Sequence, residues 1–567
     1  MKTVANGKRA LLTILLGGVV LAGYLLHVWQ YRTQINDDAY ITFRYSLFLA
    51  AGHGPYYNIG EHVEGYTNFL LMVLLAGIIK ITGVAAAPDV VPIAAKVIGA
   101  LGGVLTIVAT WGLCARWLRA IPGLRRWASL LAWLAPALIV PNTAFAMHSV
   151  TGLETALFSG WLLLALWLWQ QSADARRWRG AGIVFALAAL TRPEGALAFA
   201  AAWLGSLLAG VWRRPSARRV LIIDTAIVVL VIGAHLAFRY VAYDGEWLPN
   251  TYYAKSDDRL WHAASSAYIR GFAAEHLGGL AGLALLLPLL ARRGRSRRAA
   301  TPALLVIAAA VVGLFKTGPG WMIGYRLLVP YAPLWAALAV CGVAAVADRL
   351  PRYLVPGTLL GGVLLLLIVG ARGDVRQSYR QQCLAAVHGY QTGHIALANW
   401  LHETAHPGDT VALMDIGLVG FRCADLRIQD ITGLTDRHIA KSPGGLFEKD
   451  YDPDYILAQR PQFIVIVISG FEEPDGELSF MALTPIGQRL ANNRRFIDAY
   501  NRPPPPWPPA DPLDRLAAAF GAARVFDHAD PKMTYWLAAF TRKPNAPDAP
   551  NRPHAPSLVM PPRDAGS

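Results

Sequence analysis

The sequence predicts an α-helical polytopic membrane protein of about eleven transmembrane helices that ends in a soluble extracytoplasmic α/β domain. Three observations support this fold class. First, 54% of the 567 residues are hydrophobic and only 16% are charged, whereas soluble domains average about 25% charged residues. Second, apolar segments of about 17 to 25 residues recur from Ala10 to Gly370, and each can cross a hydrocarbon core of roughly 30 Å. Third, this pattern stops after Gly370, and shorter strand-like and helix-like segments follow.

The first apolar segment, Ala10 to Trp29, follows three basic residues and has the outline of a signal peptide. No small-x-small cleavage site follows it and apolar segments continue downstream, so we interpret it as a retained first helix. The formal net charge of +15 could indicate nucleic-acid binding. The basic residues, however, collect in short gaps between apolar segments, where membrane orientation requires them. We therefore expect a lipid bilayer, and no nucleic acid, as a partner.

The basic gaps set the predicted topology. They are residues 116–126, 176–179, 213–219, 292–298 and 349–352. Because positively charged loops stay in the cytoplasm, we place these gaps inside with the N-terminus, and the other loops and everything after Gly370 outside. Phe69 to Thr82 is apolar but short, so we interpret it as a re-entrant or juxtamembrane helix on the outer face. The first external loop then covers residues 31–92, a length that is typical of functional loops.

The predicted domains are a membrane domain over residues 1–370, an extracytoplasmic α/β domain over 371–545, and a Pro-rich tail over 546–567 that cannot pack a core. In the second domain, Thr410–Leu413 and Phe463–Ile468 are predicted to be buried strands, and Thr392–Thr404 an amphipathic helix. Cys383 and Cys423 lie in this domain. They could form a disulfide or remain buried thiols, and the sequence leaves both alternatives open.

Five outer loops carry polar residues that are candidates for a binding site, because ionisable groups near a bilayer are costly and usually functional. Three are cations at the ends of apolar segments: Arg192, Lys255 and Arg326. An anionic lipid phosphate would need such groups, with Arg forking to phosphate oxygens and Lys acting as a point charge. The alternatives are that Arg192 is an interfacial anchor and that Lys255 is a surface charge.

Other residues in these loops are of the types that stack on sugars or hydrogen-bond to them. The candidates for sugar or acceptor binding are Glu64, Tyr66, Asn68, Glu154, Glu194, Asn250, Tyr253 and Tyr325. The two acids Glu64 and Glu154 could equally be solvated loop residues. A purely structural explanation, however, would have to account for all five polar clusters on one predicted membrane face. We therefore favour a binding site over separate structural roles.

Asp37 and Asp38 are adjacent acids just beyond the first apolar segment. Adjacent side chains on a helix diverge by about 100°, so they cannot form the facing carboxylate pair of a glycoside hydrolase. We interpret one as a general base for an acceptor hydroxyl, and the other as a metal ligand or a clamp on the hydroxyl. The sequence leaves open whether the site binds a divalent cation such as Mg²⁺, Mn²⁺ or Ca²⁺. No His/Cys spacing resembles a zinc site. The structural alternative is that the pair caps a helix over Ala39–Ala51.

The motifs DDAYITFRY, GHGPYYNIGEHVEGYTN, TGLET, TRPEG, PNTYYAK and GYRLLVPY together resemble the polyprenyl-phosphate-sugar-dependent glycosyltransferases of the GT-C superfamily. The most similar group contains the bacterial terminal β-(1→2)-arabinofuranosyltransferases and the pilin arabinosyltransferases. The resemblance runs from the first external loop to about Tyr331, and continues less specifically through ALMDIGLVGF and IQDITGLTD.

This resemblance implies that the acidic motif Asp37-Asp38 is catalytic and that the soluble domain helps to bind the acceptor. It also implies a polyprenyl-phosphate sugar donor, with arabinofuranose the favoured sugar, and a glycan or glycoprotein acceptor. The enzyme would lie in the bacterial inner membrane with its site on the periplasmic side. A lipid-linked-sugar flippase is disfavoured, because the mid-span residues are mostly Leu, Ala, Val and Gly. A non-catalytic glycan-binding protein would leave the five polar loops without a use.

Overall fold

The computed structural model describes residues 2–175, 177–255, 262–276, 294–320, 322–347, 373–472, 478–501, 512–529 and 534–544. Three predictions from the sequence fall outside these residues: the Pro-rich tail 546–567, the apolar segments within 277–293 and 348–372, and the domain boundary at residue 370. Within the described residues, the chain is helical up to residue 347 and mixes helices and strands after residue 373.

The N-terminal part contains helices α1 to α15, which are α1 (Lys2–Trp29), α2 (Asp37–Ala50), α3 (Phe69–Thr82), α4 (Ala87–Arg119), α5 (Ala128–Leu131), α6 (Leu134–Ile139), α7 (Thr143–His148), α8 (Thr155–Ala175), α9 (Ala181–Thr191), α10 (Glu194–Leu208), α11 (Pro215–Ala242), α12 (Asn250–Lys255), α13 (His262–His276), α14 (Gly294–Thr317) and α15 (Ala332–Ala347). Short 3₁₀ turns join several of them, at Val84–Ala86, Pro122–Leu124, Val211–Arg213 and Val329–Tyr331.

Four stretches of helix in the described residues are long and apolar enough to cross a membrane: Gly7–Trp29, Val84–Arg119, Pro215–Ala242 and Ala300–Thr317. Helix α3 has 14 residues, which at 1.5 Å per residue is about 21 Å and too short to span. The bounds of α3 equal those of the predicted short helix, and its place relative to the bilayer stays a prediction. Helix α9, with 11 residues, is likewise shorter than the segment expected from the apolar pattern.

Small residues let the membrane helices approach closely, which is the usual basis of packing where the surrounding lipid is as apolar as the helices. Gly102 on α4 lies against the backbone of Leu157 on α8, and a Cβ at Gly102 would be 2.5 Å from the Leu157 Cα. Gly160 on α8 faces the Gly102 carbonyl in the same way, at 2.6 Å. Helices α4 and α8 thus form a tight pair, and α8 begins directly after the loop that contains Glu154.

The C-terminal part begins with α16 (Gly373–Gly389), a π-helical turn (Tyr390–Ile395) and α17 (Ala396–Thr404). Its other helices are α18 (Ile416–Arg422), α19 (Arg437–Ala440), α20 (Asp454–Leu457), α21 (Pro485–Ala491), α22 (Arg494–Tyr500) and α23 (Pro512–Phe520). The strands are β1 (Thr410–Leu413), β2 (Arg427–Asp430), β3 (Phe463–Glu472), β4 (Leu478–Ala482), β5 (Arg524–Ala529) and β6 (Thr534–Thr541).

The strands form one mixed sheet of order β2-β1-β3-β6-β5. Strands β2, β1 and β3 are parallel, whereas β6 and β5 are antiparallel to their neighbours. Strand β4 pairs with the far end of β3. The predicted strand Thr410–Leu413 is confirmed, and the second continues from Ile468 to Glu472. Cys383 and Cys423 are both buried free thiols, so the disulfide alternative is wrong.

Candidate active site

Helix α2 presents the two acids in its first turn. Asn36 caps the helix, and its side-chain oxygen accepts a hydrogen bond from the Asp38 N–H at 3.0 Å. The structural alternative, in which the acids themselves cap this helix, is therefore wrong. The backbone cap belongs to Asn36, so neither Asp37 nor Asp38 is needed for it.

The structure distinguishes Asp37 from Asp38. The carboxylate of Asp37 is buried and accepts two backbone hydrogen bonds from the C-terminal part, one from Gly417 N–H at 3.0 Å and one from Leu418 N–H at 2.7 Å. Both donors belong to the first turn of α18, where unpaired N–H groups and the helix dipole favour a negative charge. Both oxygens of Asp37 are thus already engaged.

Asp38 is half-buried and faces the cations that the sequence assigned to a lipid phosphate. No residue in the described ranges donates a hydrogen bond to its carboxylate. Burial raises the pKa of Asp38, and the charges of Lys255 and Arg326 act in the opposite direction. Asp415 and Glu154 raise the pKa further by like-charge repulsion. Asp38 is thus the acid that is open to a ligand and has increased basicity.

Residues from four of the loops that join the apolar helices converge near Asp38, around Glu154. Arg326 Nη2 donates to Glu154 Oε1 at 2.7 Å, and Asn68 Nδ2 donates to Glu154 Oε2 at 3.0 Å. Arg192 Nη1 lies 3.6 Å from Glu154 Oε1, and its Nη2 donates to Glu194 Oε1 at 2.6 Å. Burial alone would raise the pKa of Glu154, but Arg326 and Arg192 lower it to about 2. Glu154 is therefore an ionised anchor and not a proton carrier.

The Arg192 guanidinium retains donor capacity. Its side chain is 8% exposed, which is not the position of an interfacial anchor, and its buried Nη1 has no hydrogen-bond partner among the described residues. A buried N–H without a hydrogen-bond partner is costly, so this group calls for an explanation such as a bound water or anion. An anion such as a phosphate, placed beside Arg192, Arg326 and Lys255, would satisfy it.

The structure thus brings together part of the predicted set, namely Asp38, Asn68, Glu154, Arg192, Glu194, Lys255 and Arg326. The remaining sugar- or acceptor-binding candidates contact residues outside this group. Glu64 pairs with Arg239, and Tyr66 Oη is 2.9 Å from Tyr243 Oη; Asn250 Nδ2 donates to the carbonyl oxygens of Gly433 and Leu434, and Tyr325 Oη donates to Glu275; the Tyr253 ring lies beneath the Lys441 ammonium, at 5.0 Å.

The sequence interpretation missed two residues of the C-terminal part, Asp415 and His394. His394 Nε2 lies 3.2 Å from Asp415 Oδ2, and both act electrostatically on Asp37. The only signal in the sequence was the motif ALMDIGLVGF, which contains Asp415 but does not show that it meets the first external loop.

A divalent cation finds no ready-made ligand set here. Within the described ranges, no group of three or more His, Cys, Asp or Glu is arranged to hold a metal ion. Asp37 is occupied by two N–H groups, which a cation would have to displace. The metal therefore stays a prediction from the sequence, and the chemistry below uses none.

The geometry can be compared with known proteins. Over 82% of this chain and 93% of the other, the structure superposes on a crystal structure of ArnT from Cupriavidus metallidurans bound to undecaprenyl phosphate, with a TM-score of 0.53 and 14% identity. The apo crystal structure of the same protein gives a TM-score of 0.50 at 15% identity. The chain has the GT-C fold.

A curated relative is similar to this chain in sequence. The chain is 34% identical over 242 residues to a terminal β-(1→2)-arabinofuranosyltransferase of Mycobacterium tuberculosis. The aligned region covers 40% of this chain and 35% of the relative. The chain therefore matches about a third of that protein's length. Residues 378–511 match a family profile described as a domain of unknown function, DUF8728. This profile falls within the mixed domain that contributes Asp415 and His394.

Proposed function

We propose that this protein is a membrane glycosyltransferase that moves a sugar from a polyprenyl-phosphate donor to a hydroxyl of a cell-surface glycan or glycoprotein. The observation that carries the proposal is the buried Arg192 Nη1, which has no hydrogen-bond partner among the described residues and lies with Lys255 and Arg326 near the carboxylate of Asp38. Arabinofuranose is the sugar we favour, because the curated relative is an arabinofuranosyltransferase. The bilayer is the inner membrane of a bacterium, with the site on its extracytoplasmic side.

In the proposed reaction, the carboxylate of Asp38 and the nearby cations have different roles. Asp38 accepts the proton of the acceptor hydroxyl as the hydroxyl oxygen forms a bond to the anomeric carbon of the donor. The bond from that carbon to the phosphate oxygen breaks, and its electron pair leaves with the lipid phosphate. Arg192, Arg326 and Lys255 stabilise the negative charge that the leaving phosphate gains. Glu154 holds the two arginines in place and stays ionised throughout.

In this scheme the two adjacent acids have separate duties. Asp38 is the base, because its carboxylate faces the cations and receives no hydrogen bond from the described residues. Asp37 positions the C-terminal domain through Gly417 and Leu418.

The test is transfer by purified protein incubated with a panel of polyprenyl-phosphate sugars and glycan acceptors, with and without EDTA. We expect Asp38→Asn to lower kcat by about 100-fold or more, the typical contribution of a general base. Arg192→Ala should weaken use of the lipid donor more than use of the acceptor. Wild-type activity in Asp38→Asn would refute the base assignment. Movement of the intact lipid-linked sugar across a vesicle membrane, without release of free polyprenyl phosphate, would indicate a flippase instead.

A further inference from the structure

Helix α18 of the C-terminal domain is held at both ends by α2. Asp37 lies at its N-terminal N–H groups, and Arg44, one of the most buried side chains, donates to the Gly420 and Cys423 carbonyls near its C-terminus. A negative charge at the first end and a positive charge at the second both match the helix dipole. The approach is close, because a Cβ at Gly417 would lie 2.0 Å from the Asp37 carbonyl oxygen. The two helices are therefore fixed in one register.

This register places Asp415 beside the acids of α2. Asp415 occupies the N-cap position of α18, but its side chain makes no capping hydrogen bond. The side chain turns instead toward His394 and keeps 25% of its surface exposed. Its carboxylate is close enough to Asp37 and Asp38 to affect the ionisation of both. An Asp at the N-cap usually accepts a hydrogen bond from the helix backbone. Because Asp415 contacts His394 instead, we infer that its carboxylate has a role other than capping.

His394 fixes the direction of Asp415. The imidazole is 1% exposed and sits in the π-helical turn Tyr390–Ile395, a local widening that recurs at functional sites. The ring of Tyr390 lies 5.3 Å from it, and Tyr390 Oη accepts a hydrogen bond from the Asp37 N–H. The imidazole of His394 is thus anchored by its own turn and reaches Asp415 through Nε2. Asp415 therefore has a defined orientation before any ligand binds.

Charge decides which substrate Asp415 can contact. The cations Lys255 and Arg326 belong to the membrane domain and would bind a phosphate, whereas Asp415 belongs to the C-terminal domain. A carboxylate repels a phosphate but accepts hydrogen bonds from hydroxyl groups. We propose that Asp415, oriented by His394, is an acceptor-positioning residue that binds a second hydroxyl of the acceptor sugar while Asp38 deprotonates the first. The acceptor class is thus a polyhydroxyl glycan with a hydroxyl beside the one that reacts. This inference rests on the proposed transferase function.

The experiment compares Asp415→Asn with wild-type protein in transfer from polyprenyl-phosphoryl-arabinose to an oligosaccharide acceptor. Loss of a hydrogen bond to a charged group should raise the acceptor KM by about 10- to 100-fold. The donor KM, and the slow hydrolysis of the donor without acceptor, should not change. Asp415→Glu should recover part of the acceptor affinity. His394→Gln keeps an N–H donor for Asp415 and should be milder than His394→Leu, which does not.

The matched control is Asp454→Asn, which removes a carboxylate of the same domain that pairs with Arg495 and should leave both KM values unchanged. Unchanged acceptor KM in Asp415→Asn, with normal donor hydrolysis, would overturn this inference and leave the proposed function intact. Equal loss of donor and acceptor use in Asp415→Asn and in His394→Gln would show a merely structural role and also overturn it. If wild-type protein transfers no sugar from any lipid phosphate, both proposals fall together.

Discussion

Arg44 offers a direct test of how the C-terminal domain is held. Its guanidinium is 1% exposed and makes five hydrogen bonds, none of them to a carboxylate. The acceptors are the carbonyl oxygens of Tyr57, Gly420, Cys423 and Leu426 and the side-chain oxygen of Asn58. Three of these belong to the C-terminal domain, so Arg44→Ala would remove its donors from both sides of the contact.

The expected loss follows from what remains after truncation. Each buried carbonyl left without a donor costs about 1 to 3 kcal/mol, and such costs do not add fully. We therefore expect Arg44→Ala to destabilise docking by about 3 to 5 kcal/mol, the cost of breaking a buried charged network. For a domain of this size that corresponds to a Tm decrease on the order of 10 °C.

Two measurements check this expectation in detergent-solubilised protein. Thermal unfolding gives the Tm, and limited proteolysis reports whether the C-terminal domain is released from the membrane domain. Arg495→Ala is the matched control, because its side chain is 75% exposed and its pair with Asp454 should contribute less than about 1 kcal/mol. A Tm and a proteolysis pattern equal to those of the wild type in Arg44→Ala would refute the account of Arg44 as the clamp of this domain.

Three further predictions concern the same region. Gly417→Ala should lower the free energy of unfolding by at least about 1 to 3 kcal/mol, seen as a lower Tm, because the new Cβ would lie 2.0 Å from the Asp37 carbonyl oxygen. The control Gly77→Ala, whose Cβ would enter open space on α3, should be neutral or stabilising. Glu154→Gln should misplace Arg326 and Arg192 and lower kcat/KM for the donor by about tenfold or more, measured at saturating acceptor; an unchanged value would mean that Glu154 does not position them. Burial, opposed by His394 and assisted by Asp415, raises the pKa of Asp37 to about 6. The folded state therefore holds a proton that the unfolded state releases, so stability from this group is present at low pH and is lost as pH rises toward and through about 6, by at most about 1.4 kcal/mol per pH unit. Tm measured from pH 4 to 6.5 should fall less steeply in Asp37→Asn than in wild type, and parallel slopes would contradict this.

Several features were predictable because they depend on local sequence. The apolar segments and their basic gaps predicted a helical membrane domain, and short, largely apolar runs predicted β1 and the start of β3 as buried strands. The helix that carries Asp37 and Asp38 was also expected, within two residues of its bounds. The length of an apolar segment and the side-chain period of a strand are properties of neighbouring residues, so one sequence contains them.

The division of labour between Asp37 and Asp38 could not be predicted in this way. Both are acids in the first turn of one helix, and the sequence could say only that they point in different directions. What separates them is the N-terminus of α18, some 380 residues further along the chain, which engages Asp37 and leaves Asp38 to the cations.

The sequence by itself thus determined the class of protein and the chemical types of the groups in the polar loops. Only the tertiary structure decided which of those groups meet. It placed Arg192, Arg326 and Glu154 in one buried network, directed Glu64 and Asn250 to other contacts, and added Asp415 and His394 from a different domain. The physical reason is that hydrogen bonds and charge pairs act over a few ångströms in space, whatever the distance along the chain.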